Sequence, residues 1–161
     1  RTRMVPASPS GEDLFVLDPS GHTSHFIWKD GARLLAWTRP DGRPAGFYLF
    51  RDRTGEVAPV GAGMLTKNGH VTYVPGHPEW LLTDTYPDRE RREQHPMLFH
   101  EPSGRVVPLG HFRSPAEYRG EWRCDTHPRS SRDGTRVVID SPHGGDGRQM
   151  WEIDVGAILA Q

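Results

Sequence analysis

A repeated unit of short β-type segments is the feature that most constrains the fold of this chain. Each copy has an apolar segment, a turn of Ser, Pro, Asp or Gly, and a β-branched or aromatic run. The turns of the four copies are Ser8–Gly11, Lys29–Gly31, Pro75–Gly76 and Arg132–Gly134. Asp-Gly between two such runs predicts a hairpin, because glycine accepts the positive φ that a tight turn needs. The sequence therefore predicts a series of antiparallel hairpins.

Further strands follow the hairpins of the last three copies. The runs after the four turns are Leu14–Leu17, Leu34–Trp37, Trp80–Thr83 and Arg136–Ile139. A third strand is predicted in the last three copies, at Gly46–Phe50, Met97–Phe99 and Gln149–Ile153. Copies two and three add a fourth, at Glu56–Val60 and Arg105–Leu109. Pro59 and Pro108 within them indicate outer strands, because proline cannot donate a hydrogen bond to a sheet.

The spacing of the copies favours a β-propeller. His25, His70 and His127 open the last three copies, 45 and 57 residues apart, and propeller blades repeat about every 40–50 residues. We predict an all-β chain with one partial propeller domain over residues 1–161, its blades near residues 1–21 (incomplete), 22–65, 66–118 and 119–161. A closed ring has about four to eight blades, so we expect a larger, seven-bladed ring; a four-bladed ring is the alternative.

Composition excludes several other classes of protein. Glycine and proline total 33 of 161 residues and are spread along the chain, which is typical of many short strands. The net charge of −1 provides no field to attract nucleic acid or an anionic membrane. A single cysteine excludes an intrachain disulfide framework, and no G-x-S-x-G serine elbow is present. Because the sequence starts at Arg1, we expect it to be a fragment or a processed chain that has lost any signal peptide.

The candidate site lies where the repeats begin, because the first strand of a propeller blade lines the central channel. His25, His70 and His127 are predicted to face that channel from successive blades. Asp125 and His127 are two residues apart, so on a strand they share a face, and such a pair is a candidate for a Mn, Fe or Zn ion. Asp84 either completes a turn or orients a channel histidine. The other histidines are interpreted as solvated or structural: His22, His77, His95, His100, His111 and His143.

Four segments resemble the oligogalacturonate lyase-like seven-bladed propellers, which have TolB/WD40-like blades: Ser24–Trp28, Thr83–Pro87, Gly120–Arg129 and Gly147–Met150. The resemblance implies that the chain is the C-terminal portion of such a ring. It also implies metal-assisted β-elimination on uronate-containing oligosaccharides, with manganese as the metal.

The resemblance assigns a role to individual residues. His25 matches the catalytic base, and Arg3 or Arg123 the arginine that binds the uronate carboxylate. His70, Asp125 and His127 match the metal ligands, with Asp125 in place of a family histidine; Trp122 stands near the position of a family glutamine. Because the family acts on short imported oligosaccharides, the resemblance implies a cytoplasmic location.

Two other functions remain open from the sequence. One is a non-catalytic propeller that binds a carbohydrate or a protein at the channel mouth. The other is a structural piece whose function resides in further blades that are missing from this chain. No nucleic-acid or membrane partner is expected.

Overall fold

Short apolar runs beside glycine turns fold into antiparallel hairpins, as the repeat predicts. The computed structural model describes residues 1–160, and the chain divides into two units, Arg1–Asn68 and Gly69–Gln161. Within the described part, the regular structure other than strands is a 3-10 turn, Gly120–Trp122, and one helical turn, α1 (Gly156–Leu159). None of the helices described there is long and apolar enough to cross a membrane. The predicted all-β class is confirmed.

Unit 1 contains one four-stranded meander. Its strands are β1 (Phe26–Trp28), β2 (Arg33–Thr38), β3 (Gly46–Arg51) and β4 (Val57–Val60), and they pair in chain order. The β1–β2 turn is held by Asp30, whose Oδ1 accepts the backbone N–H groups of Ala32 and Arg33 at 2.9 and 2.8 Å. Pro59 lies in the outer strand β4, as predicted.

The first sequence copy forms isolated bridges rather than a regular strand pair. Met4 pairs antiparallel with Asp18, and Thr2 pairs parallel with His22. Two prolines and Asp13, which has a φ of 65°, interrupt the segment between them, and proline cannot extend a sheet ladder. The segment still contributes to a core made of Met4, Leu17, Leu34, Ala36, Tyr48 and Phe50.

Unit 2 contains three antiparallel sheets. The four-stranded sheet has the order β5 (Val71–Val74), β6 (His77–Thr83), β8 (Met97–His100) and β9 (Arg105–Pro108). The three-stranded sheet has β11 (Arg129–Ser130), β12 (Arg136–Ser141) and β13 (Gln149–Asp154). A two-stranded ribbon pairs β7 (Glu93–Gln94) with β10 (Phe112–Arg113). The two four-stranded sheets and the three-stranded sheet are antiparallel meanders of the kind expected for propeller blades, and the exact blade bounds remain a prediction.

The core of unit 2 joins its two larger sheets. It is made of Val74, Trp80, Leu82, Leu98, Val137, Ile139, Val155 and Leu159. Gly134 shows how closely the sheets pack: its φ is 75°, and a Cβ there would lie 2.5 Å from the Pro75 carbonyl oxygen. Only glycine fits this turn.

Candidate functional site

The buried carboxylate of Asp84, directly after β6, organises the candidate site. The residue is 2% exposed. Its oxygens accept the backbone N–H of His70 at 2.7 Å, the Thr126 hydroxyl at 2.6 Å and the backbone N–H of His127 at 3.1 Å. A buried charge is tolerated only when such donors replace water. Asp84 therefore ties the start of β5 to the segment that leads into β11.

His70 is oriented by the same carboxylate. Its Nδ1 lies 3.2 and 3.1 Å from the two oxygens of Asp84. An ionised carboxylate only accepts hydrogen bonds, so Nδ1 is the nitrogen that donates. The His70 ring centroid is 4.2 Å from that of His127 and 5.9 Å from that of Tyr86. The two histidines that the repeat predicted to face one channel are thus in contact.

His127 is held in an unusual backbone conformation. Its φ of 42° lies in the left-handed region, which non-glycine residues rarely adopt, and its N–H bond to Asp84 fixes it there. Burial lowers the pKa of His127 below its ordinary value, and the proximity of His70 and of Arg129 lowers it further. The ring is therefore neutral at pH 7, and an Arg129 guanidinium nitrogen lies 3.1 Å from its Nε2.

Asp125 is paired with an arginine. Its Oδ2 is 2.8 Å from Nε of Arg123, whose guanidinium carbon lies 5.1 Å from the centre of the Tyr86 ring. The other carboxylate oxygen of Asp125 is buried and has no hydrogen-bond partner among the described residues. Burial and then the charge of Asp125 raise the pKa of Tyr86. Asp125 thus serves to position Arg123 over the tyrosine.

The arrangement around Asp125 and His127 does not suit the manganese site that the resemblance implies. His70 Nδ1 donates to Asp84, as in many metal-binding histidines, but Arg123 binds Asp125 and the Arg129 guanidinium lies against His127. Two guanidinium cations beside the donors oppose a metal cation. Across residues 1–160, the only three potential ligand atoms within 4.8 Å of one another belong to Glu93, His95 and His111.

The remaining predicted catalytic residues, His25 and Arg3, belong to unit 1. His25 Nδ1 lies 3.2 Å from the Ser24 hydroxyl and 3.2 Å from the Asn68 side-chain oxygen. Asn68 in turn donates to the Ser24 hydroxyl at 3.2 Å. Arg3 is exposed on the segment between the Thr2 and Met4 bridges. His25 thus has a polar, hydrogen-bonded setting that fixes its ring.

Two buried polar side chains of this site were missed by sequence reasoning. Gln94 is fully buried; it donates to the Cys124 carbonyl at 2.9 Å and accepts the Thr126 N–H at 3.1 Å. The other is Thr126, which donates to Asp84. A hydrogen bond of the same kind forms in unit 1, where buried Asp18 accepts the Thr23 hydroxyl at 2.6 Å, but a pairing over 42 residues such as Asp84–Thr126 leaves no local signal in the sequence. Burial raises the pKa of Asp18, but the bonds from Thr23 and the other donors outweigh it, so the pKa is lowered.

Beside this cluster lies the Trp122 surface, which we define as Tyr86, Tyr118, Trp122, Arg123 and Arg148. The Trp122 residue is 73% exposed on the 3-10 turn. Arg148 donates to its carbonyl at 2.5 Å and lies 5.9 Å from the centre of the Tyr118 ring. Arg92 in turn donates to the Tyr118 carbonyl at 3.2 Å. The surface therefore combines one highly exposed indole and two half-buried tyrosines with arginines in fixed positions.

Known proteins are similar to this chain only at the level of structure. No family model matches it, and neither does any curated protein. TolB from Acinetobacter baumannii superposes with a TM-score of 0.73 at 17% identity, over 96% of this chain and 35% of that one. A putative TolB from Agrobacterium tumefaciens gives 0.65 at 17% identity, over 96% and 52%.

The fold is that of part of a TolB-like β-propeller. The chain spans about a third of the first solved structure and about half of the second. At this identity the likeness extends to the fold alone. The propeller class and the TolB-like blades expected from the sequence are confirmed, and the activity has to be argued from the residues.

Proposed function

We propose that this chain is a non-catalytic β-propeller binding module that takes an acidic segment of a partner protein on the Trp122 surface. The observation that carries the proposal is the highly exposed side chain of Trp122, which is adjacent to Arg123 in sequence and whose backbone carbonyl accepts a hydrogen bond from Arg148. Tryptophan side chains are highly buried on average, so an indole this exposed is a candidate contact for a partner.

The composition of the surface favours a protein ligand. Trp, Tyr and Arg are the residues enriched at the energetic centres of protein interfaces. Arginine forks bind carboxylates through two parallel hydrogen bonds, which gives an acidic ligand a defined orientation.

The arginines are also held in place before any ligand arrives. Arg123 and Arg148 each stack over a tyrosine ring, and each has a second contact, to Asp125 and to the Trp122 carbonyl. Side chains that are already ordered lose less entropy on binding. The site therefore supports a docking surface whose two arginines are already ordered.

The polar groups buried beside this surface have structural roles that account for them without catalysis. The Asp84 carboxylate is occupied by donors from His70, Thr126 and His127. Asp18 in unit 1 is likewise a buried carboxylate occupied by donors, which there come from Ser20, Thr23 and Thr38. A motif that recurs in both units is better explained by folding than by chemistry at one site.

An array of immobilised acidic peptides, probed with the purified chain, tests the proposal. We expect Trp122→Ala to lower the affinity for the tightest-binding peptide by at least tenfold, as for a residue at the centre of an interface. Trp28→Ala is the matched control, because Trp28 is an exposed tryptophan of unit 1 (43%) and should leave binding unchanged. The proposal fails if no acidic peptide binds, or if both variants bind like the wild type.

A second candidate function is the uronate lyase reaction that the resemblance implies. The observation in its favour is the neutral His127 beside Arg129. A neutral imidazole can take the proton next to a uronate carboxylate while an arginine stabilises the developing charge. The C–H electrons then form the new double bond, and the glycosidic oxygen leaves with the departing sugar.

The ultraviolet absorbance of the unsaturated product distinguishes this candidate from simple binding. The chain is incubated with oligogalacturonate, with and without added Mn²⁺. Formation of unsaturated uronate that is lost in His25→Ala would support the base suggested by the resemblance, and loss in His127→Ala would support the one suggested by the geometry. No absorbance under either condition rejects the lyase.

A further inference from the structure

We propose that Glu93, His95 and His111 form a binding site for a divalent transition-metal ion of the Zn²⁺ class. The three side chains converge because of the register of one small ribbon. In the β7–β10 pair, Gln94 lies opposite Phe112 and Glu93 opposite Arg113. Alternate residues of a strand share a face. Glu93 and His95 are therefore on one face of the ribbon, and His111 is directly across from His95.

The opposite face of the ribbon anchors it to the protein. Gln94 is fully buried and bonded to the Cys124 carbonyl and the Thr126 N–H, and Phe112 packs against the core of unit 2. The backbone N–H of His95 donates to the Thr85 hydroxyl at 3.2 Å. The three candidate ligands thus project from a fixed backbone toward solvent, where an ion can reach them.

The distances suit one small ion. One ligand atom from each of the three residues lies within 4.8 Å of the others. The Nδ1 atoms of His95 and His111 are 2.7 Å apart. Zinc–nitrogen bonds of about 2.0–2.1 Å in a tetrahedron place two nitrogens roughly 3.3 Å apart. The rings therefore need to separate by only about half an ångström for both to bind the same ion.

A carboxylate behind His95 provides an independent sign of a metal site. Asp88 Oδ2 lies 3.5 Å from His95 Nε2, the ring nitrogen that does not face His111. Histidines that bind metals commonly donate the N–H of the other ring nitrogen to a carboxylate, which directs the lone pair to the metal. Asp88 is itself fixed, because its Oδ1 accepts the N–H groups of Glu90 and Arg91 at 2.9 and 2.7 Å.

The donor set indicates which ion would bind. Two imidazoles and one carboxylate suit zinc, copper or nickel, whereas magnesium and calcium prefer oxygen ligands alone. Three protein ligands leave the fourth position of a tetrahedral ion for water or for a group from a partner. None of these residues belongs to the Trp122 surface, so the proposal stands or falls separately from the proposed function.

Calorimetric titration of Zn²⁺ into the metal-free full chain, purified without a histidine tag, tests the site. We expect one ion per chain, and a loss of at least tenfold in affinity in both His95→Ala and His111→Ala. Asp88→Asn should weaken binding by about 10- to 100-fold, as for other carboxylates behind ligating histidines. His100→Ala is the control, since His100 lies in the same unit and bonds to Ser103 instead.

Circular dichroism of each variant verifies that it is folded, and the Co²⁺ form gives a second readout through its visible spectrum. A tetrahedral absorption band that is lost in His111→Ala would confirm the geometry. The proposal is overturned if the wild type shows no zinc binding at micromolar concentrations. It is equally overturned if folded His95→Ala and His111→Ala chains bind zinc as tightly as the wild type.

Discussion

Replacing Asp84 by asparagine should be among the most destabilising isosteric changes in this protein. The carboxylate is 1% exposed as a side chain and has donors on both oxygens. Oδ1 accepts from the His70 N–H, while Oδ2 accepts from the Thr126 hydroxyl and the His127 N–H. An asparagine has one oxygen, so its NH₂ group must face at least one of these donors.

The magnitude follows from the bonds that are lost. Hydrogen bonds to a charged group contribute about 1.5–3 kcal/mol each, and removing one partner of a buried charged network costs about 3–5 kcal/mol. We therefore expect Asp84→Asn to lower the free energy of unfolding of unit 2 by about 3–5 kcal/mol. For a chain of this size that corresponds to a fall of roughly 6–20 °C in Tm.

Urea unfolding followed by tryptophan fluorescence measures the effect, and circular dichroism at each concentration checks whether the two units unfold together. Asp140→Asn is the matched control, because Asp140 is exposed on β12; its change should stay within about 0.5 kcal/mol. A loss below about 1 kcal/mol for Asp84→Asn would refute the view that this carboxylate organises the site.

Three further predictions follow from particular residues. Gly134→Ala places a Cβ 2.5 Å from the Pro75 carbonyl oxygen, whereas Gly145, with a φ of 90°, has open space around it. Gly134→Ala should therefore lower the free energy of unfolding by at least about 2 kcal/mol more than Gly145→Ala, a difference that thermal unfolding measures. Hydrogen bonds from neighbouring residues lower the pKa of Asp133 from its ordinary 3.8 to about 2. The contribution of Asp133 to stability is therefore present above pH 3.8 and is lost as the pH falls toward 2. Asp133→Asn should flatten the acid-unfolding curve in that window. The pKa of His127 measured by NMR should lie below the ordinary histidine value of 6.5. Acidification below pH 6.5 should then reduce stability, because the unfolded chain takes up the proton first. A pKa above 6.5 would contradict the burial of this ring.

The strands were predictable because their signals are local. The apolar runs that became β2, β6 and β12 stand directly beside turn residues, and Pro108 marked the outer strand β9. The structure of the first copy was harder to predict. Its apolar run has the pattern of a strand, but prolines and Asp13, whose φ is in the left-handed region, reduce its pairing to single bridges.

The repeat singled out two residues that the structure brings together. The ring centroids of His70 and His127, which open successive copies, are 4.2 Å apart, whereas a channel shared by both with His25 stays a prediction. The Arg123–Asp125 pair was not foreseen, because an aspartate two residues from a histidine also fits a ligand pair on one strand, and only the structure shows which neighbour binds it.

The Glu93–His95–His111 group could not be found from periodicity. β7 and β10 have two residues each, which is too short for an alternating pattern to emerge. His95 and His111 are 16 residues apart in sequence, and only the pairing of Gln94 with Phe112 brings them together.

The bond from Asp84 to Thr126 also determines where this chain can be divided for expression. A fragment that ends between these two residues retains a carboxylate in its interior but loses the Thr126 hydroxyl and the His127 N–H that replace water at Oδ2. It would have to protonate Asp84 or expose the end of β6 to water. Boundaries that keep each aspartate together with its threonine, Asp18 with Thr23 and Asp84 with Thr126, are therefore the ones that should yield folded protein.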